Sequence, residues 1–363
     1  MTHTTTRSRH SDWPHDRAVT GAVTRLAIAC TTVALLAGCG SLGPPPAPSA
    51  AVAPSAAVGP SAATATPAAA AASEGAADPG RATRTARSLP LPAEPGPLAD
   101  AMRGVPVVLL GELHDNPAHH ALRAAALARL VSTGARPALA FEQFDRERQA
   151  DIDGARREQP RDADALIARA GGRGWEWPLY RPFVQLALDH DLPIVAANLS
   201  RSEAGRVIRE GFGAVFDGPT RHALGLDTLA PERVAAHERA VVDGHCGMLP
   251  ASMVAPMARA QIARDAVLAA SIAPHAARGV VLLTGNGHAR RDVGVARWLP
   301  APLQGTALVS IGLLETRADG TAPADMPVEA FDRIVLTGAP SREDPCASLR
   351  ARMPATPAGA QGR

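Results

Sequence analysis

Short unbroken apolar runs set the tightest limit on what this chain can fold into. Val105-Pro-Val-Val-Leu-Leu110, Ala138 to Phe141, Leu192 to Ala197 and Gly279 to Thr284 are too brief for helices, and none alternates polar with apolar residues. Such runs predict strands buried on both faces, the usual state of a parallel sheet. Between them lie stretches of helical character. Leu122, Ala126, Leu127 and Leu130 follow an Asn116-Pro117 cap, and further stretches cover Asp145 to Ala170, Pro182 to His190, Pro231 to Val242, Ser252 to Ala273 and Arg290 to Trp298. Thr306 to Ile311 and Arg333 to Leu336 add two strands. The alternation predicts an α/β fold: a mostly parallel sheet with helices on both faces, in a single domain. Ligands of such folds bind beyond the carboxyl ends of the strands.

The termini read differently. Arg17 and Arg25 precede an apolar run, Leu26 to Ala37, that is too short for a permanent membrane span and suits a signal-peptide core. The run ends in Leu36-Ala37-Gly38-Cys39, which resembles the bacterial lipobox. Residues 1–38 are therefore expected to be a lipoprotein signal peptide and Cys39 an acylated anchor, which holds a protein on a membrane without a spanning helix. Gly40 in place of an aspartate favours the outer membrane, facing the periplasm. Residues 39–97 are Pro, Ala, Ser and Gly with almost no bulky apolar side chain, the composition of an extended tether. A second such tail, 345–363, leaves 98–344 as the folded domain.

Of four cysteines, Cys246 and Cys346 remain once Cys30 and Cys39 are assigned to the leader and the anchor. They read either as one disulfide in an oxidising envelope or as two free thiols. Neither has a CxxC partner, which argues against a cysteine metal site. All 37 basic residues are arginine, against 35 acidic ones, a net charge of +2. So even a balance offers no excess to neutralise phosphates, which argues against nucleic acid as a partner. The lack of lysine removes Schiff-base and P-loop lysine chemistry.

Polar residues gather where the predicted strands end: Gly111-Glu-Leu-His114-Asp-Asn116, Glu142-Gln143, Asn198 and Gly285-Asn-Gly-His288. Asp115 and Asn116 read as caps. Glu112, His114, Glu142 and His288 are candidates for chemistry, because ionisable clusters in clefts are usually sites. His119 and His120 read as an early polar helix face, and His190, His222, His237 and His275 as solvated or capping residues.

The paired GxxH motifs and Glu142 resemble the superfamily that contains Tiki, TraB, erythromycin esterase and the ChaN-type haem-binding lipoproteins. Trp175-Glu-Trp-Pro-Leu-Tyr-Arg-Pro182, His245-Cys-Gly-Met-Leu-Pro250, Gln261-Ile-Ala-Arg-Asp265 and Gly287-His-Ala-Arg-Arg-Asp-Val-Gly294 support the likeness, which favours the lipoprotein branch. The resemblance implies haem binding for iron or haem uptake, a tyrosine axial ligand and a homodimer when haem is bound. The only tyrosine is Tyr180. Arg181 is the adjacent candidate for a propionate, Trp175 and Trp177 for a flat apolar wall, and His245, His288 and Arg290 for further haem contacts. The Tiki-like side of the resemblance implies the alternative, a metal-dependent hydrolase in which His114, Glu142 and His288 hold a divalent ion and a glutamate serves as base.

Overall fold

A computed structural model describes residues 89–317, 319–321, 327–342, 344, 346, 347 and 350. The leader, the Cys39 anchor and most of the tether fall outside the described residues. The strands are β1 (Leu89–Leu91), β2 (Val107–Leu110), β3 (Ala138–Asp145), β4 (Ile194–Asn198), β5 (Val280–Leu283), β6 (Leu308–Thr316) and β7 (Arg333–Gly338). The helices are α1 (Pro95–Met102), α2 (Pro117–Ser132), α3 (Gln149–Glu158), α4 (Ala163–Ala170), α5 (Trp177–Asp189), α6 (Arg201–Glu210), α7 (Gly218–Ala223), α8 (Pro231–Gly244), α9 (Ala251–Ile272) and α10 (Asn286–Ala289).

The seven strands form one sheet in the order β1-β7-β6-β2-β5-β3-β4, and every pairing is parallel. Because β2 is central, its side chains alternate between two apolar layers. Val107 and Leu109 pack with Ile262, Ala266 and Ala269 of α9. Val108 and Leu110 pack with Leu122 and Leu127 of α2 and Phe183 of α5. From β2 the chain moves outward to β3 and β4, returns as β5, then crosses to β6 on the other side of β2. At that crossing the carboxyl ends of β2, β5 and β3 are the expected ligand position in such sheets.

The domain starts earlier than composition indicates. Leu89–Leu91 pairs with β7, and α1 begins at Pro95, inside the stretch read as tether. An edge strand tolerates Pro90 because one side of its backbone needs no ladder bond. The helix expected over Arg290 to Trp298 is absent. The α10 helix is four residues and ends at Ala289, and a short 3-10 turn covers Val295–Arg297. Cys246, after α8, and Cys346, beyond β7, are joined by a disulfide.

Gly111 follows β2 where there is no room for a side chain. A Cβ there would overlap Asn286 Oδ1 and lie 3.0 Å from the Ile311 carbonyl. Asn286 cannot easily retreat, since its Nδ2 donates to the Leu313 carbonyl (2.6 Å) and its Oδ1 accepts from Leu313 N–H (3.2 Å). Gly111→Ala is expected to cost about 1–3 kcal/mol in urea unfolding by overpacking. A change below about 0.5 kcal/mol, within the range of an ordinary surface substitution, would show that Asn286 yields.

Candidate functional site

The loop after β2 is fixed by the start of α2. Asn116 caps that helix, its Oδ1 accepting from Ala118 N–H (2.9 Å) and His119 N–H (3.2 Å), as a capping asparagine does. His119 Nδ1 accepts from Leu113 N–H (3.0 Å), and His120 Nε2 donates to the His114 carbonyl (2.9 Å). His119 and His120 are thus buried clamps on the first GxxH loop and not a polar helix face. Burial, with His120 and Arg342 nearby, lowers the His119 pKa to about 4. Burial also lowers that of His120, against the pull of its bond to the His114 carbonyl.

The clamped loop presents Glu112 to a buried cluster. Glu112 pairs through Oε2 with Arg123 of α2, whose side chain is fully buried, and accepts through Oε1 from the Tyr180 hydroxyl (2.6 Å). His114 Nδ1 lies 2.9 Å from the same Oε1 and 3.2 Å from the Tyr180 oxygen. Burial pulls the Arg123 pKa down to about 9, with Tyr180 and Glu142 opposing, so the guanidinium stays charged near neutrality. His114 is the member that reaches solvent, its side chain 45% exposed, with its ring edge-on to Trp175 at 5.0 Å.

A second cluster stands at the ends of β3 and β5. Phe141 pairs with Ala196 but Asp145 with Asn198, so a four-residue step on β3 opposes a two-residue step on β4. Such a bulge re-aims side chains, and here it carries Glu142. Glu142 Oε2 accepts from the Thr284 hydroxyl (2.6 Å) and Gly285 N–H (2.8 Å), and its Oε1 lies 3.6 Å from His288 Nε2. His288 Nδ1 donates to Asp265 of α9 (2.6 Å), whose other oxygen lies 3.6 Å from His237 Nε2. Burial pushes the Glu142 carboxyl up, but His288 and His114 together with the two hydrogen bonds outweigh it and hold it at about 2. Burial likewise opposes a charged His288, yet Glu142 and Asp265 raise its pKa.

The two clusters meet at Gly285. A Cβ there would lie 2.9 Å from His114 Nε2 and 3.8 Å from Glu142 Oε2. The first glycine of the second GxxH motif therefore makes room for the histidine of the first.

Glu112, His114, Glu142 and His288 are thus brought together as expected. The other expected residues have the following surroundings. Tyr180 is 1% exposed, its hydroxyl donates to Glu112, and burial raises its pKa well above the ordinary phenol value. Arg181 forks onto Asp164 of α4, with both contacts at 2.8 Å. Arg290 is paired with Asp292 and follows α10 instead of starting a helix. His245 ends α8 with Nδ1 donating to the Val241 carbonyl (2.7 Å). Trp177 packs on Phe144 at 4.9 Å and donates to the Gly172 carbonyl, so it lies partly buried against the core. His237 is buried, not solvated. Among the described residues no three His, Cys, Asp or Glu side chains are placed to hold a metal ion. Both His288 nitrogens face carboxylates, and Glu142 Oε2 is taken by two donors.

Arg123 and Asp265 carry the two clusters; from sequence Asp265 is named only as the end of the Gln261–Asp265 segment, and Arg123 is not named. Both had a signal: Arg123 is four residues after His119 and one after Leu122, and Asp265 falls three after Ile262, on the inward stripes of α2 and α9.

The haem-binding uptake family of the Tiki superfamily, ChaN, matches residues 98–299. The structure of ChaN from Campylobacter jejuni, described with cofacial haem binding, superposes with a TM-score of 0.52 at 20% identity, covering 65% of this chain and 89% of that one. The type III effector HopBA1 (TM-score 0.38, 14% identity, 70% and 99% coverage) and an erythromycin esterase EreC variant (0.36, 9%, 60% and 72%) also match. No curated protein matches the chain.

Arg123→Met, which strands Glu112, is expected to destabilise the protein by about 3–5 kcal/mol. Denaturant unfolding checks this, and Glu112→Leu combined with Arg123→Met should recover much of the loss. The pH dependence follows from two opposite shifts. Glu142 has a depressed pKa, so its contribution is present above pH 4.5 and is lost as pH falls toward 2. That shift corresponds to about 3 kcal/mol. His288 has a raised pKa, so its contribution is present below pH 6.5 and is lost as pH rises through the folded value. Urea midpoints measured from pH 2 to 8 should peak between these limits, and Glu142→Gln should flatten the acid limb.

Proposed function

Because the chain belongs to the ChaN haem-binding uptake family of the Tiki superfamily, we propose that it is an envelope lipoprotein that carries haem for iron or haem uptake. The family match carries the reading, since it spans both GxxH motifs and every residue of the two clusters. Cys39 would be the lipid anchor, on the outer membrane and facing the periplasm, with residues before Leu89 supplying the reach between membrane and domain. No helix among the described residues is long and apolar enough to cross a membrane.

In this reading Tyr180 is the candidate iron ligand, with Trp175 5.7 Å from it between ring centroids as the candidate apolar wall and His114 Nδ1 3.2 Å from its oxygen. A second copy laid over the same open face would cover the other side of the porphyrin, so haem and dimerisation are coupled in this reading. With Arg181 and Arg290 committed to Asp164 and Asp292, a propionate would compete with a carboxylate for either arginine.

Haemin titrated into the full chain is expected to give a saturable Soret shift at one haem per chain, and sedimentation should show a monomer becoming a dimer as haem is added. Absence of a saturable shift would overturn the reading. In the native bacterium, Cys39→Ser should release the protein from the membrane fraction.

A further inference from the structure

Beyond β7 the described residues add no strand pairing, so what holds them to the domain is side chains. Arg342 is the first of these. Its Nη1 donates to Asp115 (2.9 Å) in the loop after β2, and its two terminal nitrogens grip both oxygens of Glu315 near the end of β6 (3.0 and 2.5 Å). Glu315 in turn accepts from Nδ2 of Asn116 (2.7 Å), the cap of α2. The guanidinium thus binds the first GxxH loop directly through Asp115 and indirectly through Asn116.

The second hold is covalent. Cys346, four residues after Arg342, is bonded to Cys246, the second residue past α8. An ion pair between partly exposed groups is weak when a free chain end must be ordered to make it. Fixing that end a few residues away keeps the guanidinium close to its carboxylates and raises its effective concentration there. The bond is also open to exchange, since both cysteines are only half-buried, and a thiolate must reach one sulfur to break it. Cys246 has φ +56°, in the left-handed region where a helix usually ends in glycine. The disulfide keeps a cysteine in that conformation, and its opening frees the backbone to relax.

We propose that the segment carrying Arg342 is a redox-sensitive strap on the first GxxH loop. With the Cys246–Cys346 disulfide closed, Arg342 is held on Asp115 and Glu315; when a dithiol opens it, the strap hangs from β7 alone and the loop loosens. In that step one protein S–S bond breaks and two thiols form, while the dithiol gives up two electrons and two protons and closes to its own disulfide. The strap does not depend on the haem reading, because every contact in it lies within this chain.

The test compares four forms of the full chain: oxidised, reduced with dithiothreitol, the Cys246→Ser/Cys346→Ser double variant, and Arg342→Ala with the disulfide intact. Thiol alkylation read by mass spectrometry counts the cysteines released. Amide hydrogen exchange is followed in peptides covering Leu113 and Asn116 and in peptides covering β5 as the core reference. The strap predicts exchange faster by about tenfold or more at Leu113 and Asn116 in the last three forms, with a smaller change in β5. Arg342→Ala added to the double variant should change nothing further, since both remove one hold. Equal loop exchange in oxidised and reduced protein would overturn the proposal. So would an equal factor in the loop and in β5, which would make the disulfide a brace for the whole domain. A disulfide that dithiothreitol leaves closed in the folded protein would remove the redox sensitivity. Should the double variant fail to fold, Arg342→Ala decides alone: loop exchange unchanged from wild type sinks the strap.

Discussion

The buried ion pair of Glu112 and Arg123 is the interaction on which the rest of this site depends. Neither charge reaches water, so each is tolerable only because the other is present. Once paired, Glu112 has a fixed direction. It takes the Tyr180 hydroxyl and the His114 ring on one oxygen, and the loop between β2 and α2 is then closed by His119 and His120. Replacing the pair with apolar side chains would make a good core, but it would leave the exposed imidazole with no preferred orientation.

The second cluster works by a different balance. Glu142 and His288 are each buried, and each is kept in its charged form by the other and by Asp265, Thr284 and the Gly285 N–H. Opposite charges with hydrogen bonds to spare offset the desolvation that burial imposes. This network faces inward, whereas the His114 side chain is half exposed.

Much of the fold was legible in sequence because unbroken apolar runs leave few alternatives to buried parallel strands. The positions of β2, β4 and β5 follow from Val105 to Leu110, Leu192 to Ala197 and Gly279 to Thr284 within a residue or two. β1 was not legible, since three residues, one of them proline, carry no periodicity and become a strand only by pairing with β7. The cluster members at strand ends were legible because polar residues directly after apolar strands are costly unless used. Arg123 and Asp265 were harder to see, since a charged residue on a helical stripe is ordinarily read as surface, and its burial is revealed only by a partner distant in sequence. Tyr180 is unique in composition, but its burial carries no sequence signal, because it depends on the packing of α5 against Glu112.

The close approach of Gly285 to His114 makes the two GxxH motifs a single unit instead of two repeats of one signature. One places its imidazole against the other, and the other leaves the empty space in which that imidazole stands. Sequence drift at either position is therefore not independent. A side chain gained at 285 displaces the ring at 114, so a lineage that loses the glycine is expected to lose the histidine with it, even though 171 positions separate them in the chain.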